Sequence, residues 1–201
     1  MKVTSIKPQV KRLNRYSIFI DNKYAFALSE NELLDLNLKV GQSLDDDFLN
    51  NINTEVDFNK AKNSCFKLLS YRARSIGEVR DYLNRKDYDE EVIERTIVYL
   101  TSKAFLDDEM FSKQWLENRI RINQYSLRQI RSELRQKKVS DSIINKIIED
   151  ESIDEVKLIK QLIEKKQTQS KYKDELKLMQ FLSRRGFSYD KIQIALGRRS
   201  E

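Results

Sequence analysis

A pattern of apolar residues recurs three times along the chain, and no other feature restricts the fold as much. Ser75, Ser126 and Asp174 each open a segment in which apolar residues fall at +4, +8, +13, +18 and +22. These are Val79, Leu83, Tyr88, Ile93 and Ile97 in the first copy. They are Ile130, Leu134, Val139, Ile144 and Ile148 in the second, and Leu178, Leu182, Phe187, Ile192 and Leu196 in the third. The openers lie 51 and then 48 residues apart. A repeat of that period signals stacked helical units, none of which can bury its apolar face alone.

The caps needed to separate such helices are present. After Pro8 there is no proline, and the glycines in this region are Gly77, Gly186 and Gly197. Ser75, Ser126 and Asp174 suit the N-cap of a middle helix, and Ser75 has Glu78 at the capping-box position. Asp89, Ser140 and Ser188 supply a second cap at +14. Each follows an apolar residue (Tyr88, Val139, Phe187) and precedes an isoleucine by four (Ile93, Ile144, Ile192). That is the hydrophobic-staple spacing. The first helices of the three modules are expected at Asn59–Tyr71, Asp108–Ile122 and about Ile153–Lys171. Position +12 is expected to turn left-handed to end the middle helix, which glycine does best. Gly186 provides it in the third copy, whereas Asp87 and Lys138 stand there in the others. Lysine in that conformation costs roughly 1 kcal/mol.

Residues 1–57 differ in texture. Val3–Lys7 reads as a short strand ending at Pro8. Tyr16–Asp21 and Tyr24–Leu28 flank Asp21-Asn22, a pair that tolerates a tight hairpin turn. Ser29 and Glu32 fit a capping box opening a short helix to about Leu38. Gly41 marks a turn and Asp45–Ile52 another short helix. The expected fold is mainly α: three tandem three-helix repeats forming an elongated curved stack, preceded by a small β-hairpin/helix N-terminal domain. The boundaries read from composition are 1–57, 58–107, 108–150 and 151–201, with the first near Val56–Lys60.

Charge separates the two parts. Residues 1–57 carry 7 basic and 9 acidic side chains; the remainder carry 31 and 23. The chain has no histidine, so a His-based triad, an HExxH zinc site and imidazole acid–base chemistry are impossible. The single Cys65 excludes an internal disulfide, and burial in the core is the favoured reading over a nucleophile. No run of about eighteen apolar residues exists, and no signal-like segment follows Met1. A cytoplasmic protein without cofactors or metal, and not an enzyme, is the expectation.

Cations concentrate in the second copy. Between Arg119 and Lys138 there are seven (Arg119, Arg121, Arg128, Arg131, Arg135, Lys137, Lys138) against one acid, Glu133. Arg128, Arg131 and Arg135 are spaced i, i+3, i+7 and form a stripe about a right angle from Leu127, Ile130 and Leu134. A solvated face is the plain reading; guanidinium groups that match phosphate or carboxylate are the functional one. Similar clusters are Arg72, Arg74 and Arg80 in the first copy, and Lys171, Lys173, Lys177, Arg184 and Arg185 in the third. If the modules stack, these could line one edge. The Asp107-Asp108 pair reads as helix capping rather than as a Mg²⁺ site. Trp115 reads as core between modules, with an exposed stacking role as the alternative.

Four stretches together carry a family resemblance. Tyr71-Arg72-Ala73-Arg74-Ser75, Tyr88-Asp89-Glu90-Glu91-Val92-Ile93-Glu94, Phe105-Leu106-Asp107-Asp108-Glu109 and Arg185-Gly186-Phe187-Ser188, in this order and spacing, resemble the RecX family of bacterial RecA regulators. The resemblance covers about residues 58–198, and the N-terminal part is similar to an extension found in some Gram-positive members. The chain departs from the family by having Asp87 and Lys138 where many members have glycine. Asn123-Gln124-Tyr125-Ser126 also replaces a Lys-Gly-Pro-like turn, which leaves the shape of that loop open. The resemblance implies a monomeric regulator that lies along the RecA–DNA filament and limits its ATPase and strand exchange. DNA would be a secondary, electrostatic contact. The candidate contact residues are Arg72, Arg74, Arg119, Arg121, Arg128, Arg131, Arg135, Lys138, Lys177, Arg184 and Arg185. The residues alone leave open a stand-alone DNA-binding protein.

Overall fold

The computed structural model describes residues 1–10, 14–169, 172 and 174–198, with only the backbone of Asn123. The chain divides into two compact units: residues 1–71 with 82–102, and residues 72–81 with 103–201.

In the first unit, β1 (Val3–Pro8), β2 (Arg15–Ile20) and β3 (Lys23–Ser29) form an antiparallel sheet in that order. The β2–β3 turn is made by Asp21 (φ 47°) and Asn22 (φ 64°), the paired positive φ values of a type I′ hairpin. The expected hairpin is thus present, with Val3–Pro8 added as a third strand through pairs such as Ile6–Ile18. Ser29 and Glu32 close the capping box of α1 (Glu30–Asp35), which ends three residues before the expected Leu38. Alternating strand residues Val3, Ile18, Ile20, Phe26 and Leu28 bury against Leu38, Leu44, Leu49, Ile52 and Val56.

The structure corrects the reading around residues 45–71. The helices expected at Asp45–Ile52 and Asn59–Tyr71 are one helix, α2 (Asp46–Leu69), capped by Asp45, whose carboxylate accepts from Phe48 N at 2.7 Å. The composition shift at 56–60 coincides with no break because no glycine, proline or cap interrupts the helical run there. On the same helix, Phe58 meets Tyr99 of α4 (Glu90–Ser102) edge to face at 5.9 Å, with Lys62 over both rings and Arg95 over Phe58. Cys65 is fully buried, and burial pushes its thiol up to about 11, which leaves it an inert core group.

The middle helices start at the expected openers: α3 (Ile76–Asn84) after Ser75, α6 (Leu127–Gln136) after Ser126 and α9 (Glu175–Arg184) after Asp174. Each opener's side chain accepts a first-turn N–H, from Glu78, from Gln129, and from Leu176 and Lys177 respectively. All three helices close alike. The +13 N–H donates to the +8 carbonyl (Tyr88 to Leu83, Val139 to Leu134, Phe187 to Leu182), and the +12 N–H donates to the +9 carbonyl. That is the Schellman closure. It places Asp87 (φ 57°), Lys138 (φ 60°) and Gly186 (φ 88°) in the left-handed region, as the +12 spacing predicts. The repeat's apolar residues are buried, except Tyr88, Ile148 and Leu196, which are half-buried.

The other helices are α5 (Asp108–Asn118), α7 (Asp141–Asp150), α8 (Glu155–Gln167) and α10 (Tyr189–Ala195). The helix expected to run from Asp108 to Ile122 instead stops at Asn118. A π-turn, Arg119–Asn123, follows, and Gln124 (φ 51°) ends it, which fixes the shape of the Asn123–Ser126 loop. Helix α8 starts two residues after the expected Ile153 and ends at Gln167, and Lys171 lies outside the described residues. Ser140 caps α7 through Ile143 N, whereas Ser188 precedes α10 without a side-chain cap bond.

Within the second unit, successive middle helices meet end to end. Ser75 Oγ donates to the Lys137 carbonyl at 2.6 Å, and Ser126 N donates to the Arg185 carbonyl at 3.1 Å; both carbonyls stand at +11 of the next copy. A Cβ on Gly186 would lie 2.4 Å from Ser126 Oγ and 3.0 Å from Gln129 Cβ. Gly186→Ala is therefore expected to lower unfolding free energy by about 2–4 kcal/mol, from left-handed strain and overpacking together. Gly197→Ala meets nothing within 4 Å and has only strain, about 1 kcal/mol. Urea unfolding of the two variants checks the difference; equal midpoints would refute the tight junction.

Candidate protein and nucleic-acid interface

Chain folding in the second unit gathers cations that are far apart in sequence around two carboxylates. Glu78, on the first turn of α3, receives both guanidinium nitrogens of Arg72 (2.8 and 3.0 Å) and Lys137 Nζ at 3.1 Å, with Arg74 at 4.0 Å. Burial opposes its charge, but these bonds prevail and hold the carboxyl at about 2. Arg74 is crowded in turn: burial and the neighbouring Arg72 lower its pKa, and its Nε is buried without a hydrogen-bond partner. Glu133 of α6 accepts from Arg119 Nε at 2.6 Å and from Trp115 Nε1 at 2.9 Å.

Rings and cations then alternate. Lys137 and Arg119 lie over Trp115 (4.2 and 4.4 Å), and Arg119 and Arg185 over Tyr125 (5.7 and 5.4 Å). Arg185 and Lys166 lie over Phe181 (4.7 and 5.2 Å), and Lys166 over Tyr172 (5.4 Å). Each such contact stabilises by about 0.5–1 kcal/mol at half-exposed sites and keeps the charge at the surface. Trp115 is thus half-buried at the edge of a cationic row, not in the core, because its indole N–H and both neighbouring cations need access to the surface. The row was not anticipated, although the i, i+4 pairs Trp115–Arg119 and Phe181–Arg185 announce it.

The expected arginine stripe on α6 is divided. Arg128 is exposed and has no partner among the described residues. Arg131 bonds Asn145 and Arg135 bonds Asp141 at 2.7 Å, both on α7. The stripe was expected on one open face, but the staple at Val139 turns α7 back so that its polar side meets the last two arginines. Lys138 pairs with Asp81 at 2.5 Å and Lys177 with Asp174 at 3.6 Å. Arg121 and Arg184 are exposed with no partner among the described residues. Arg80 does have one. Lys171 and Lys173 lie outside the described residues.

The Asp107-Asp108 pair performs capping at two different helices. Asp107 accepts from Met110 N of its own helix, while Asp108 accepts from Ile76 N of α3 at 2.8 Å. Burial raises the Asp108 pKa against that bond. Glu155 repeats the device on Leu127 N at 2.8 Å. Among the described residues, no group of three His, Cys, Asp or Glu side chains could hold a metal ion, and no helix is long and apolar enough to cross a membrane.

Family comparison agrees with this architecture. The RecX N-terminal domain matches residues 1–45, and the first, second and third RecX three-helix domains match 61–100, 107–147 and 153–196. The chain belongs to the RecX family. It is 31% identical over 199 residues to the "Regulatory protein RecX" of Bacillus subtilis, covering 96% of this chain and 75% of that one. To the protein of that name in Clostridium perfringens SM101 it is 29% identical, covering 94% and 92%. A crystal structure of regulatory protein RecX matches with a TM-score of 0.70 at 27% identity over 98% and 99% of the two chains. RecX from Lactobacillus salivarius matches with 0.61 at 25% identity over 70% and 95%.

The Glu78 cluster has a pH signature. Its folded pKa lies below the ordinary 4.5, so its stabilisation is complete above that pH and is lost as pH falls toward 2. Glu78→Gln is expected to remove about 1–2 kcal/mol of acid-dependent stability, allowing for solvent screening. Denaturant midpoints between pH about 4.5 and about 2 check this: the wild type must fall more steeply than the variant.

Proposed function

We propose that this RecX protein is a non-catalytic cytoplasmic regulator that binds the RecA–DNA filament as a monomer, limits its ATPase and recombinase activity, and contacts DNA secondarily. The observation that carries this reading is the ordered match of all four RecX domains. It is supported by a positive excess confined to the part of the chain that holds the three-helix modules. The proposed modules follow the boundaries 58–107, 108–150 and 151–201, with 1–57 as a separate N-terminal part.

The proposed contact set is the cationic surface of modules and junctions: Arg72, Arg74, Arg119, Arg121, Arg128, Arg131, Arg135, Lys138, Lys177, Arg184 and Arg185. Within it Arg121, Arg128 and Arg184 have unsatisfied guanidinium groups and are the first to meet phosphate or carboxylate. The paired members hold the surface in shape and add to its field.

The same three unpaired arginines favour a second reading, a DNA-binding protein with no need of RecA. Its affinity for bare single strands would equal that for the filament and fall steeply with salt. The first reading predicts that the DNA-dependent ATPase of the cognate RecA declines at substoichiometric protein. An unchanged rate alongside tight binding to bare DNA overturns it. Charge reversal of Arg128, Arg131 and Arg135 together is expected to abolish filament binding. Arg128→Glu alone, which breaks no internal bond, is expected to weaken it several-fold with unfolding unchanged; full binding by both variants removes this face from the interface.

A further inference from the structure

A recess of about 240 Å³ opens on the exposed side of α5, with Phe111 and Trp115 as its floor and Arg72, Gln114, Asn118 and Arg119 around it. It is smaller than the clefts of roughly 300–1,000 Å³ that take drug-sized ligands, and suits one planar ring system. A second hollow shares Gln114 and Asn118 and continues to Arg121 and Ile122. The two form one track in which an aromatic floor is followed by an unpaired guanidinium.

We propose that this recess receives an unstacked base of single-stranded nucleic acid, with Arg121 on the adjoining phosphate. Three features select a base over an acidic peptide. Arg72 already gives both terminal nitrogens to Glu78, and Arg119 its Nε to Glu133, so their hydrogen-bonding forks are occupied while their planar faces remain usable for stacking. Gln114 and Asn118 stand one helical turn apart, both exposed, with no side-chain partner among the described residues. Their amides offer donors and acceptors together, as a base edge requires. Ile122, 69% exposed, extends the apolar surface toward the next nucleotide. Base stacking on such platforms contributes about 1–3 kcal/mol per base and tolerates sequence.

The inference deepens the nucleic-acid part of the proposed function and rests on it only in requiring that this face meets nucleic acid. Trp115 is the sole tryptophan, so its fluorescence reports the recess directly. The full chain, without RecA, is titrated with a thymidine decanucleotide, with an abasic decanucleotide of equal charge, and with a Glu-rich heptapeptide carrying a central Phe. The expected result is saturable quenching by the thymidine strand, at least tenfold weaker binding of the abasic strand, and a several-fold loss in Gln114→Ala/Asn118→Ala. Equal affinity for the two strands, thymidine-strand binding without quenching, or quenching by the peptide alone overturns it. RecA is absent from the titration, so its failure and a failed filament assay are separate outcomes.

Discussion

The second unit depends on one contact made twice: the carbonyl end of a middle helix seats against the amino end of the middle helix before it. Partial negative charge at a helix C-terminus meets partial positive charge at an N-terminus, and N–H groups that would otherwise be orphaned find acceptors. The Lys137 carbonyl takes the Ser75 hydroxyl, and the Arg185 carbonyl takes the Ser126 N–H. A carboxylate opening or preceding the next module's first helix completes each junction, Asp108 on Ile76 N and Glu155 on Leu127 N. Each junction has room for one missing Cβ. In the first, Gly77 supplies it on the receiving helix opposite Lys138; in the second, Gly186 supplies it on the incoming turn. The absence of glycine at position 138 is therefore balanced by a glycine elsewhere in the same contact.

The cationic surface is a consequence of that seating. Lys137 reaches Glu78, and the paired Arg72, only because its carbonyl is fixed on Ser75, one turn away. The same residue lies over Trp115, which links the Glu78 cluster to the row of rings and cations. Surface ion pairs of this kind contribute little stability singly. Joined through shared carboxylates and rings, they hold positive charge in place where a partner's phosphates or carboxylates could reach it.

Much of the fold was legible because it is encoded locally. The openers Ser75, Ser126 and Asp174, the apolar spacing after them and the left-handed +12 turn each follow from short-range backbone chemistry, and the structure has all three. The long α2 was missed because a change in composition was read as a break, although nothing in residues 46–69 stops a helix. The site was less legible. Arg128, Arg131 and Arg135 looked equivalent from their spacing, but which of them are consumed depends on where α7 returns. The partners of Arg72 and Lys137 converge on one carboxylate across 65 residues of sequence. Such pairings are set by docking between modules, which no local pattern carries.

The end-to-end junction is tested most directly by a double-mutant cycle between Gly77 and Lys138, read by urea unfolding. A Cβ at Gly77 would lie 2.4 Å from Lys138 Cβ and 3.0 Å from the Lys137 carbonyl. Gly77→Ala should destabilise by about 1–3 kcal/mol, against the roughly 1 kcal/mol gain that helix propensity alone gives. Combined with Lys138→Gly, which removes the closer atom, its effect should shrink by at least about 1 kcal/mol. A Gly77→Ala change that stabilises the protein, or costs the same in both backgrounds, would contradict the account.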